Sequence, residues 1–436
     1  MNDNGSLFND DDLFGSAEPV VRETRQPEPE SAPYAARYSN SRIKPISLDG
    51  LNPMQREAAE HVDGPLLVVA GAGSGKTRVL THRIAHLISN HGVSPMNVLA
   101  ITFTNKAAGE MKHRVESLIG PVAKSMWVST FHSACVRILR VHAERIGYPK
   151  TFSIYDQADA QRLTGYVIRD MGLDAKRFTP RAVHAVISNW KNELVSPTQA
   201  AERAAHIFDR KHSEIYREYQ ERLLKAGAMD FDDLLVNVVR LFRMHTDVLA
   251  SYQDRFKYIL VDEYQDTNIA QNEIVLSLAA RHHNVCVVGD TDQSIYAFRG
   301  ADFRNIGQFE DAFDEVSVVV LEQNYRSTQN ILDAANAVIA QNFGRKPKEL
   351  WTETGPGDPI VRFHADDEGD EAAFVARTMQ TLRTGGRKWG DMAVFYRTNP
   401  QSRVVEEIFM RFGVPYKVVG GTRFYDRREI KDAVAY

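Results

Sequence analysis

The sequence predicts an α/β protein in which a parallel β-sheet is covered by helices on both faces and interrupted by an all-helical subdomain. From residue 51 onward, short runs rich in β-branched residues alternate with helical stretches, the pattern of a buried parallel sheet. A glycine-rich turn joins the first such run to a helix, which is the context of a phosphate-binding loop. The segment 133–229 has almost no strand-like run, and we predict that it forms consecutive helices inserted into the first α/β lobe.

Length and composition exclude several classes of protein. With 436 residues the chain is too long for one small fold. Hydrophobic residues at 43% and charged residues at 25% are typical of a soluble protein with a full core. The net charge of −4 excludes a bulk polybasic binder, so any nucleic-acid surface is local. Two cysteines are too few for a disulfide framework, and we find no membrane span or secretory signal, so we expect a cytoplasmic protein without membrane contact.

The first 48 residues form a segment of different character, with eight acidic and five basic residues. Such a segment buries too little apolar surface to offset its ordering entropy, and we predict that 1–48 is a disordered acidic tail. Leucine and phenylalanine pairs at 7–8 and 13–14 flank three aspartates. Two interpretations stay open: a short docking motif for a protein partner, or a solvated segment without a function.

The strand-like runs divide the rest of the chain into two lobes. The first lobe comprises 49–132 and 230–313, with predicted strands at 66–70, 98–103, 258–261 and 285–288 and predicted helices at 105–118 and 270–280; a further predicted strand, 316–321, follows. A boundary near Asp314 starts a second lobe, 314–436, with predicted strands at 359–363, 392–396 and 416–419. The second lobe stops inside an apparent helix at Tyr436, and we expect it to be incomplete.

The strongest motif is the glycine-rich turn after the first strand. Its backbone N–H groups would cradle phosphates, Lys76 would reach the β and γ phosphates, and the Thr77 hydroxyl would bind Mg²⁺. The general pattern has glycine where Ala70 stands, so one position departs from it. The predicted nucleotide-binding residues of the turn are Ala70, Gly71, Ala72, Gly73, Ser74, Gly75, Lys76 and Thr77.

Two later strands end in residues suited to nucleotide hydrolysis. Asp262 follows the strand at 258–261 and would hold Mg²⁺, while Glu263 would act as the base that polarises the attacking water. Gln293 follows the strand at 285–288 and is suited to sensing a γ-phosphate. Each pattern alone is also typical of an ordinary strand-to-helix turn, and only the phosphate-binding loop favours the catalytic interpretation.

The order of these segments resembles the UvrD/PcrA/Rep group of superfamily-one DNA helicases. The resemblance covers the chain from about residue 48 to its end and includes Ala70, which this family usually carries. It implies RecA-like lobes, ATP with Mg²⁺, and 3′ to 5′ movement on single-stranded DNA in repair or replication. The matching stretches are LNPMQREA (51–58), AGAGSGKT (70–77), ITFTNKAA (101–108), STFHS (129–133), DEYQDTN (262–268), GDTDQSIY (289–296), LEQNYRS (321–327) and YRTN (396–399).

The resemblance also implies roles for individual residues around the nucleotide. Gln55 would read the adenine edge, Tyr325 would stack on the adenine ring, and Arg78 would lie nearby. Arg326 would come from the second lobe as an arginine finger on the γ-phosphate, where a guanidinium neutralises charge that develops in the transition state.

A third set of residues matches positions that contact single-stranded DNA in the family. Aromatic faces suit this role because stacking on bases needs no particular sequence. The alternative that Phe103 and Phe298 are core residues stays open, since both adjoin apolar segments, and relatives usually carry tryptophan at position 298. The insertion 133–229, with sixteen basic and eleven acidic residues, would guide the strand or face the duplex at a junction. The predicted DNA-binding residues are Phe103, Thr104, Asn105, His132, Tyr296, Phe298 and Arg299.

Two hypotheses for the function follow. The first is an ATP-dependent DNA helicase. The second, for this chain alone, is a module that binds ATP and DNA without unwinding, because the family's further helical insertion and its last γ-phosphate arginine do not occur before Tyr436. We therefore expect the chain to be a fragment with impaired turnover.

Overall fold

The computed structural model describes residues 43–297, 300–302, 304–343 and 345–419. One compact unit runs to Gly357, and it contains a six-stranded sheet in the order β3-β2-β6-β7-β1-β8 with all neighbours parallel. This confirms the predicted α/β class. The strands are β1 (Leu66–Ala70), β2 (Val98–Thr102), β3 (Trp127–Thr130), β4 (Ser153–Tyr155), β5 (Ala228–Asp230), β6 (Tyr258–Val261), β7 (Val285–Gly289) and β8 (Ser317–Leu321).

Helices cover both faces of this sheet. Among the residues that the structure describes, no helix is both long enough and apolar enough to cross a membrane. The helices of the first unit are α1 (Pro53–Glu60), α2 (Lys76–Ser89), α3 (Asn105–Ile119), α4 (Phe131–His142), α5 (Gln157–Asp170), α6 (Pro180–Asn192), α7 (Pro197–Arg203), α8 (Ile207–Lys225), α9 (Phe231–Met244), α10 (Thr246–Arg255), α11 (Ile269–Ala279), α12 (Asn305–Asp311) and α13 (Gln329–Ile339).

The strands are apolar throughout because both of their faces are buried. Side chains alternate between the faces with a period of two. In β1, Leu67 and Val69 join a core that contains α4, α9, α10 and α11, whereas Leu66 and Val68 join a second core that contains α2 and α3. The five strands that we predicted in this unit are confirmed to within one residue at each end. The strand β3 was not predicted, because Trp127–Thr130 is short and half polar.

The helical insertion is narrower than the predicted range 133–229. Its own core begins at Ala160, while Ala134, Ile138 and Phe152 belong to the core of the main sheet. The short parallel pair of β4 and β5 closes the insertion at its base, with Ile154 opposite Met229. The predicted boundary at 133 is wrong because the helix there continues directly from the sheet, and helical pattern alone does not distinguish the two cores.

The predicted tail also ends earlier than expected. Residues 43–48 pack on the first unit: Leu48 is buried, Ile46 contacts the apolar cores, and the Ile46 N–H donates to Asn90 Oδ1 at 3.1 Å. The remainder of the predicted tail, 1–42, lies outside the described residues.

The two compact units divide the chain at Gly357, later than the boundary near Asp314, which stays a prediction for the two lobes. The first unit continues to Gly357 because β8 pairs with β1 along its whole length, from Leu66 opposite Ser317 to Ala70 opposite Leu321. In the second unit, α14 (Glu368–Thr384) and α15 (Ser402–Phe412) pack around Ala376 and Phe409.

The predicted strands of the second unit are wrong for the residues that the structure describes there. Segments 359–363, 392–396 and 416–419 form no strand. An apolar β-branched run becomes a strand only when a neighbour completes its ladder of backbone hydrogen bonds.

A buried charge cluster joins the insertion to the main core. Lys191 Nζ on α6 lies 2.8 Å from Asp230 Oδ2 and 2.8 Å from Asp233 Oδ1, and the Tyr219 hydroxyl donates to Asp230 Oδ2 at 2.8 Å. Asp230 and Asp233 form the N-terminal capping box of α9. Because one lysine does not balance two buried carboxylates, burial and the charge of Asp230 raise the pKa of Asp233 to about 6.

We predict that Lys191→Met destabilises the fold by about 3–5 kcal/mol at pH 8, because it leaves two buried carboxylates without a cation. The loss should be smaller at pH 5, where Asp233, with a pKa of about 6, is already protonated. In the native chain this raised pKa makes the contribution of Asp233 to stability fall as pH rises from about 4 through 6. Urea unfolding at both pH values measures the effect.

The matched control is Lys211→Met, which removes an exposed ion pair with Glu214 on the same insertion and should change stability by less than about 0.5 kcal/mol. Equal losses for the two variants would contradict the importance of the buried cluster.

Candidate functional site

The glycine-rich turn between β1 and α2 has a backbone that favours glycine. Gly73 has φ +69°, and Gly75, which directly precedes α2, has φ +90°. A Cβ on Gly73 would also lie 2.6 Å from the Asn324 amide nitrogen. Lys76 and Thr77 follow as the first residues of α2. The start of this helix therefore combines backbone N–H groups with a lysine and a hydroxyl, an arrangement that binds phosphate groups.

Protein donors hold the carbonyl groups of the loop. They come from the loop itself, from α1 and from the segment after β8, so the turn is supported from three directions. Because protein donors already satisfy these carbonyl oxygens, the carbonyls do not have to face a bound anion, which would repel them. The bonds join Ser74 Oγ to Gly71 O (2.7 Å), Gln55 Nε2 to Ser74 O (2.8 Å), Asn324 Nδ2 to Ala72 O (2.5 Å) and Tyr325 N to Gly73 O (3.0 Å).

Lys76 brings together the ends of three strands. Its Nζ lies 2.7 Å from Glu263 Oε2 and 3.2 Å from Gln293 Oε1, and its side chain is 11% exposed. Three of the predicted catalytic residues are therefore in direct contact, although 187 and 217 positions separate Lys76 from the other two.

The two acids after β6 have different surroundings. Asp262 is buried, and its burial together with the charge of Glu263 raises its pKa to about 6. Glu263 has φ +51°, a left-handed conformation that is uncommon for a residue other than glycine. This conformation directs the Glu263 carboxylate to Lys76. The backbone N–H of Glu263 donates to Asp262 Oδ1 at 3.0 Å. Backbone strain of this kind concentrates at functional sites.

Gln293 is oriented by hydrogen bonds at both ends of its amide. Its Nε2 donates to Asp290 Oδ2, so its Oε1 faces Lys76. Asp290 is held in turn by Gln265, whose Oε1 accepts the Asp290 N–H at 2.9 Å and whose Nε2 donates to Glu263 Oε2 at 3.0 Å. A closed ring of hydrogen bonds thus connects the ends of β6 and β7.

Arg326 lies in the same compact unit as the phosphate-binding loop, and its role as an arginine finger from a second lobe stays a prediction. Because β8 is parallel to β1, the residues after both strands emerge at the same edge of the sheet. The Cβ of Arg326 lies 2.9 Å from where a Cβ on Gly73 would be, and its side chain is exposed. Tyr325 is 54% exposed, and its hydroxyl accepts a hydrogen bond from Asn52 Nδ2 at 2.8 Å.

The remaining predicted nucleotide residues surround the loop. Gln55 is buried, and its amide is bonded at both ends, to Ser74 O and to the Asn52 N–H at 3.2 Å. Its predicted contact with adenine stays a prediction. Arg78 is exposed and donates from Nη2 to Gly50 O at 2.8 Å.

Aromatic side chains follow the other strands of the same edge. Phe103, directly after β2, is 37% exposed and stacks on Tyr296 with ring centroids 5.1 Å apart. Phe103 is therefore not a core residue. His132, at the start of α4, contacts the ring of Phe231 edge-on at 5.9 Å, and burial lowers the pKa of its imidazole.

These aromatic residues line two clefts. One, of about 540 Å³, includes Thr104 and Asn105, which cap and begin α3, and Asn105 Oδ1 accepts a hydrogen bond from Ser133 Oγ at 3.5 Å. The other, of about 650 Å³, lies between the sheet edge and the insertion helices α5 and α6. Phe103 and His132 line both clefts. Two predicted DNA-binding residues, Phe298 and Arg299, lie outside the described residues.

Sequence reasoning missed several residues that build the site. Asn324 and Gln265 lie inside recognised motifs but were given no role, and the structure shows that they hold the loop and the strand ends together. Phe231 lines the first cleft and is 49% exposed. A phenylalanine directly after the capping aspartate of a helix is the signal that could have drawn attention to it.

Comparisons with known proteins agree with this arrangement. Residues 51–314 match the model of the UvrD/REP helicase N-terminal domain, and residues 319–436 match that of the UvrD-like helicase C-terminal domain. The fold and site are thus those of a helicase-type phosphate-binding-loop protein. The chain belongs to the UvrD/REP helicase family.

Several curated relatives are similar over 89% of this chain. The ATP-dependent DNA helicase PcrA of Bacillus subtilis is 54% identical over 390 residues, which is 53% of its length. The ATP-dependent DNA helicase UvrD1 of Mycobacterium tuberculosis is 54% identical over 401 residues, 52% of its length. PcrA of Staphylococcus aureus is 52% identical over 389 residues, 53% of its length. The chain spans about half the length of the curated relatives it matches.

We predict that Asn324→Ala loosens the phosphate-binding loop. The buried amide of Asn324 bonds Ala72 O and accepts the N–H groups of Arg326 and Ser327 at 2.8 and 2.7 Å, so its loss leaves buried groups unpaired at about 1–3 kcal/mol. Amide hydrogen exchange of 71–75 should accelerate. Asn330→Ala, which removes an exposed bond to Gly357 O at 3.1 Å, is the control. Unchanged exchange in the loop of Asn324→Ala would contradict the proposed support.

Proposed function

We propose that this chain carries the ATP-hydrolysing and strand-binding part of a DNA helicase that moves 3′ to 5′ on single-stranded DNA. The observation that carries the proposal is the contact of Lys76 with Glu263 and Gln293 beside an aromatic cleft on the same sheet edge. The relatives that are 52–54% identical to this chain are named ATP-dependent DNA helicases, and their names support the same function for it.

The loop and the acids divide the work on ATP. Backbone N–H groups of 71–75 hold the phosphates and Lys76 neutralises their charge. Glu263 accepts a proton from the attacking water, Gln293 orients that water or the γ-phosphate, and the Arg326 guanidinium stabilises the charge of the transition state. Gln55, Arg78 and Tyr325 would contact the base.

The residues present fit Mg²⁺. Asp262 and Thr77 supply a carboxylate and a hydroxyl, hard oxygen ligands of the kind that Mg²⁺ takes along with phosphate oxygens and water. When bound, the ion would neutralise charge between the β and γ phosphates.

The clefts at β2 and β3 would bind the DNA. Phe103, His132 and Tyr296 present rings for stacking on bases, and Thr104 and Asn105 present polar groups for the backbone. Arg181 on the insertion lines the second cleft and suits a phosphate contact. Single-stranded DNA and junctions with duplex are the proposed substrates, in repair or replication in the cytoplasm, and the acidic tail is a proposed protein-binding segment.

Lys76→Ala should abolish ATP hydrolysis in the full-length protein while leaving the fold intact, because Lys76 contacts the polar groups of Glu263 and Gln293 at the sheet edge and is not part of the apolar cores. Phosphate release in the presence of single-stranded DNA measures it. Lys124→Ala, which removes an exposed ion pair with Glu116, should hydrolyse ATP normally. Near-normal hydrolysis by Lys76→Ala would overturn the assignment of the loop.

Phe103→Ala should weaken binding of single-stranded DNA by roughly 5- to 150-fold, since stacking contributes about 1–3 kcal/mol per base. Fluorescence anisotropy with a labelled oligonucleotide measures the change. Phe208→Ala removes another half-exposed ring, on the insertion and packed on Phe178, and should bind DNA as the native chain does. Equal affinities for the native chain and Phe103→Ala would remove Phe103 from the DNA site.

The second candidate, a module that binds ATP and DNA without unwinding, is favoured by the second unit, where the described residues form no sheet. ATPase and strand-displacement assays of the 436-residue chain, beside a version extended to the length of its relatives, distinguish the two. We expect ATP binding by both and unwinding by the longer protein alone. Equal unwinding would exclude the module.

A further inference from the structure

A second buried charge cluster lies beside Gln293 and pairs Asp290 and Asp292 with two basic residues that lie outside the motifs, Arg345 and Lys348. It involves the segment 345–351, here called the clamp segment. Arg345 binds Asp292 through two hydrogen bonds, of 2.9 Å from Nε and 2.8 Å from Nη2. Lys348 Nζ contacts both Asp290 and Asp292. The side chains of Lys348 and Asp290 are each 2% exposed, so water does not screen this pair.

Lys348 fixes the carboxylate that orients Gln293. Asp290 Oδ1 accepts two hydrogen bonds, one from the Lys348 ammonium and one from the Asp292 N–H at 3.0 Å. Its Oδ2 is left to accept a hydrogen bond from Gln293 Nε2. With both oxygens engaged, the carboxylate does not rotate, and Gln293 keeps its Oε1 directed to Lys76. A chain of direct contacts therefore runs from Lys348 through Asp290 and Gln293 to the lysine of the phosphate-binding loop.

The clamp segment also touches the loop and the segment after β8. The Leu350 side chain lies 2.2 Å from where a Cβ on Gly71 would be, so the glycine is needed for this approach. Trp351 O accepts the Asn324 N–H at 2.7 Å. The clamp segment thus contacts three parts of the candidate site at once.

We propose that Lys348 is a positioning residue for ATP hydrolysis, which acts through Asp290 to hold the Gln293 amide in its productive orientation. The proposal rests on the proposed function, since it assigns a residue to the same reaction. Lys348 balances the buried charge of Asp290 and Asp292 together with Arg345. Without it, the Asp290 carboxylate would lose the cation that fixes its Oδ1 and would turn toward another donor, which releases Gln293. ATP binding would persist, because the loop and Lys76 are untouched.

The test compares Lys348→Met with the native residue in the full-length protein. We expect kcat of DNA-stimulated hydrolysis to fall by about 10- to 100-fold, the size of effect that small misplacement of a reacting group produces. The Kd of a fluorescent ATP analogue should change by less than about threefold, because the effect is on orientation. In a Gln293→Ala background, Lys348→Met should lower kcat no further, since residues that act through one another are not additive.

Lys346→Met is the matched control. Lys346 lies two positions from Lys348, pairs with Glu310 at 2.7 Å and is partly exposed. The kcat of Lys346→Met should therefore equal that of the native protein. Lys348→Met combined with Asp292→Asn keeps the net charge of the cluster and carries the test if the single variant does not fold; it should show the same loss of kcat.

The outcomes separate the two proposals. If the native protein hydrolyses no ATP, the proposed function is wrong. If the native protein hydrolyses ATP and Lys348→Met hydrolyses it equally well, the positioning role is overturned. The role is also overturned if Lys348→Met lowers kcat by the same factor in the Gln293→Ala background as in the native background. Loss of the fold in both the single and the charge-balanced variant would make Lys348 a structural residue and would also overturn it.

Discussion

The parallel direction of all six strands of the main sheet is the constraint on which the rest of the structure depends. Parallel strands bring their carboxyl ends to one edge, and ligands of open α/β sheets bind there. The strand order then divides the edge. Neighbours β8, β1, β7 and β6 end in the residues suited to phosphate chemistry, whereas β2 ends next to the exposed Phe103 and β3 is followed by His132, which lines both clefts.

Charge compensation is the second requirement, because this edge concentrates buried acids. Lys76 lies against Glu263, and Lys348 with Arg345 balances Asp290 and Asp292. Breaking a buried pair costs more than the pair contributes, since the remaining charge loses its partner. Asp262 is buried, and its burial and the charge of Glu263 outweigh the opposing charge of Lys76 and raise the pKa of Asp262 to about 6. A site of this kind favours a bound cation, which fits the proposed Mg²⁺.

The sequence predicted the parts of this arrangement that depend on local pattern. Continuous apolar runs identified β1, β2, β6, β7 and β8, because strands buried on both faces carry no polar alternation. The loop at 71–75 was predictable because glycine spacing and helix start lie in one stretch of sequence. Where the prediction failed, the deciding contact was not local: the expected strands of the second unit have no ladder among the described residues.

The supporting residues were hidden for the same reason. Asn324 bonds the loop across 252 positions, and Lys348 reaches Asp290 across 58, so neither contact leaves a local signal. In the sequence, a lysine of an irregular segment looks the same whether it is buried or lies on a surface loop. Only its partners in the structure show that it is buried. Such residues are found by asking which groups neutralise the acids of a recognised motif.

The loop after β7 provides a short physical link between the two halves of the edge. Gln293 contacts Lys76, and Tyr296, three positions later, stacks on Phe103. The 3₁₀ turn Thr291–Gln293 begins at Asp290, which Lys348 holds, so this end of the loop is anchored. Gln293 and Tyr296 therefore belong to one short segment, anchored at its start, that joins the candidate phosphate site to the ring proposed to stack on DNA.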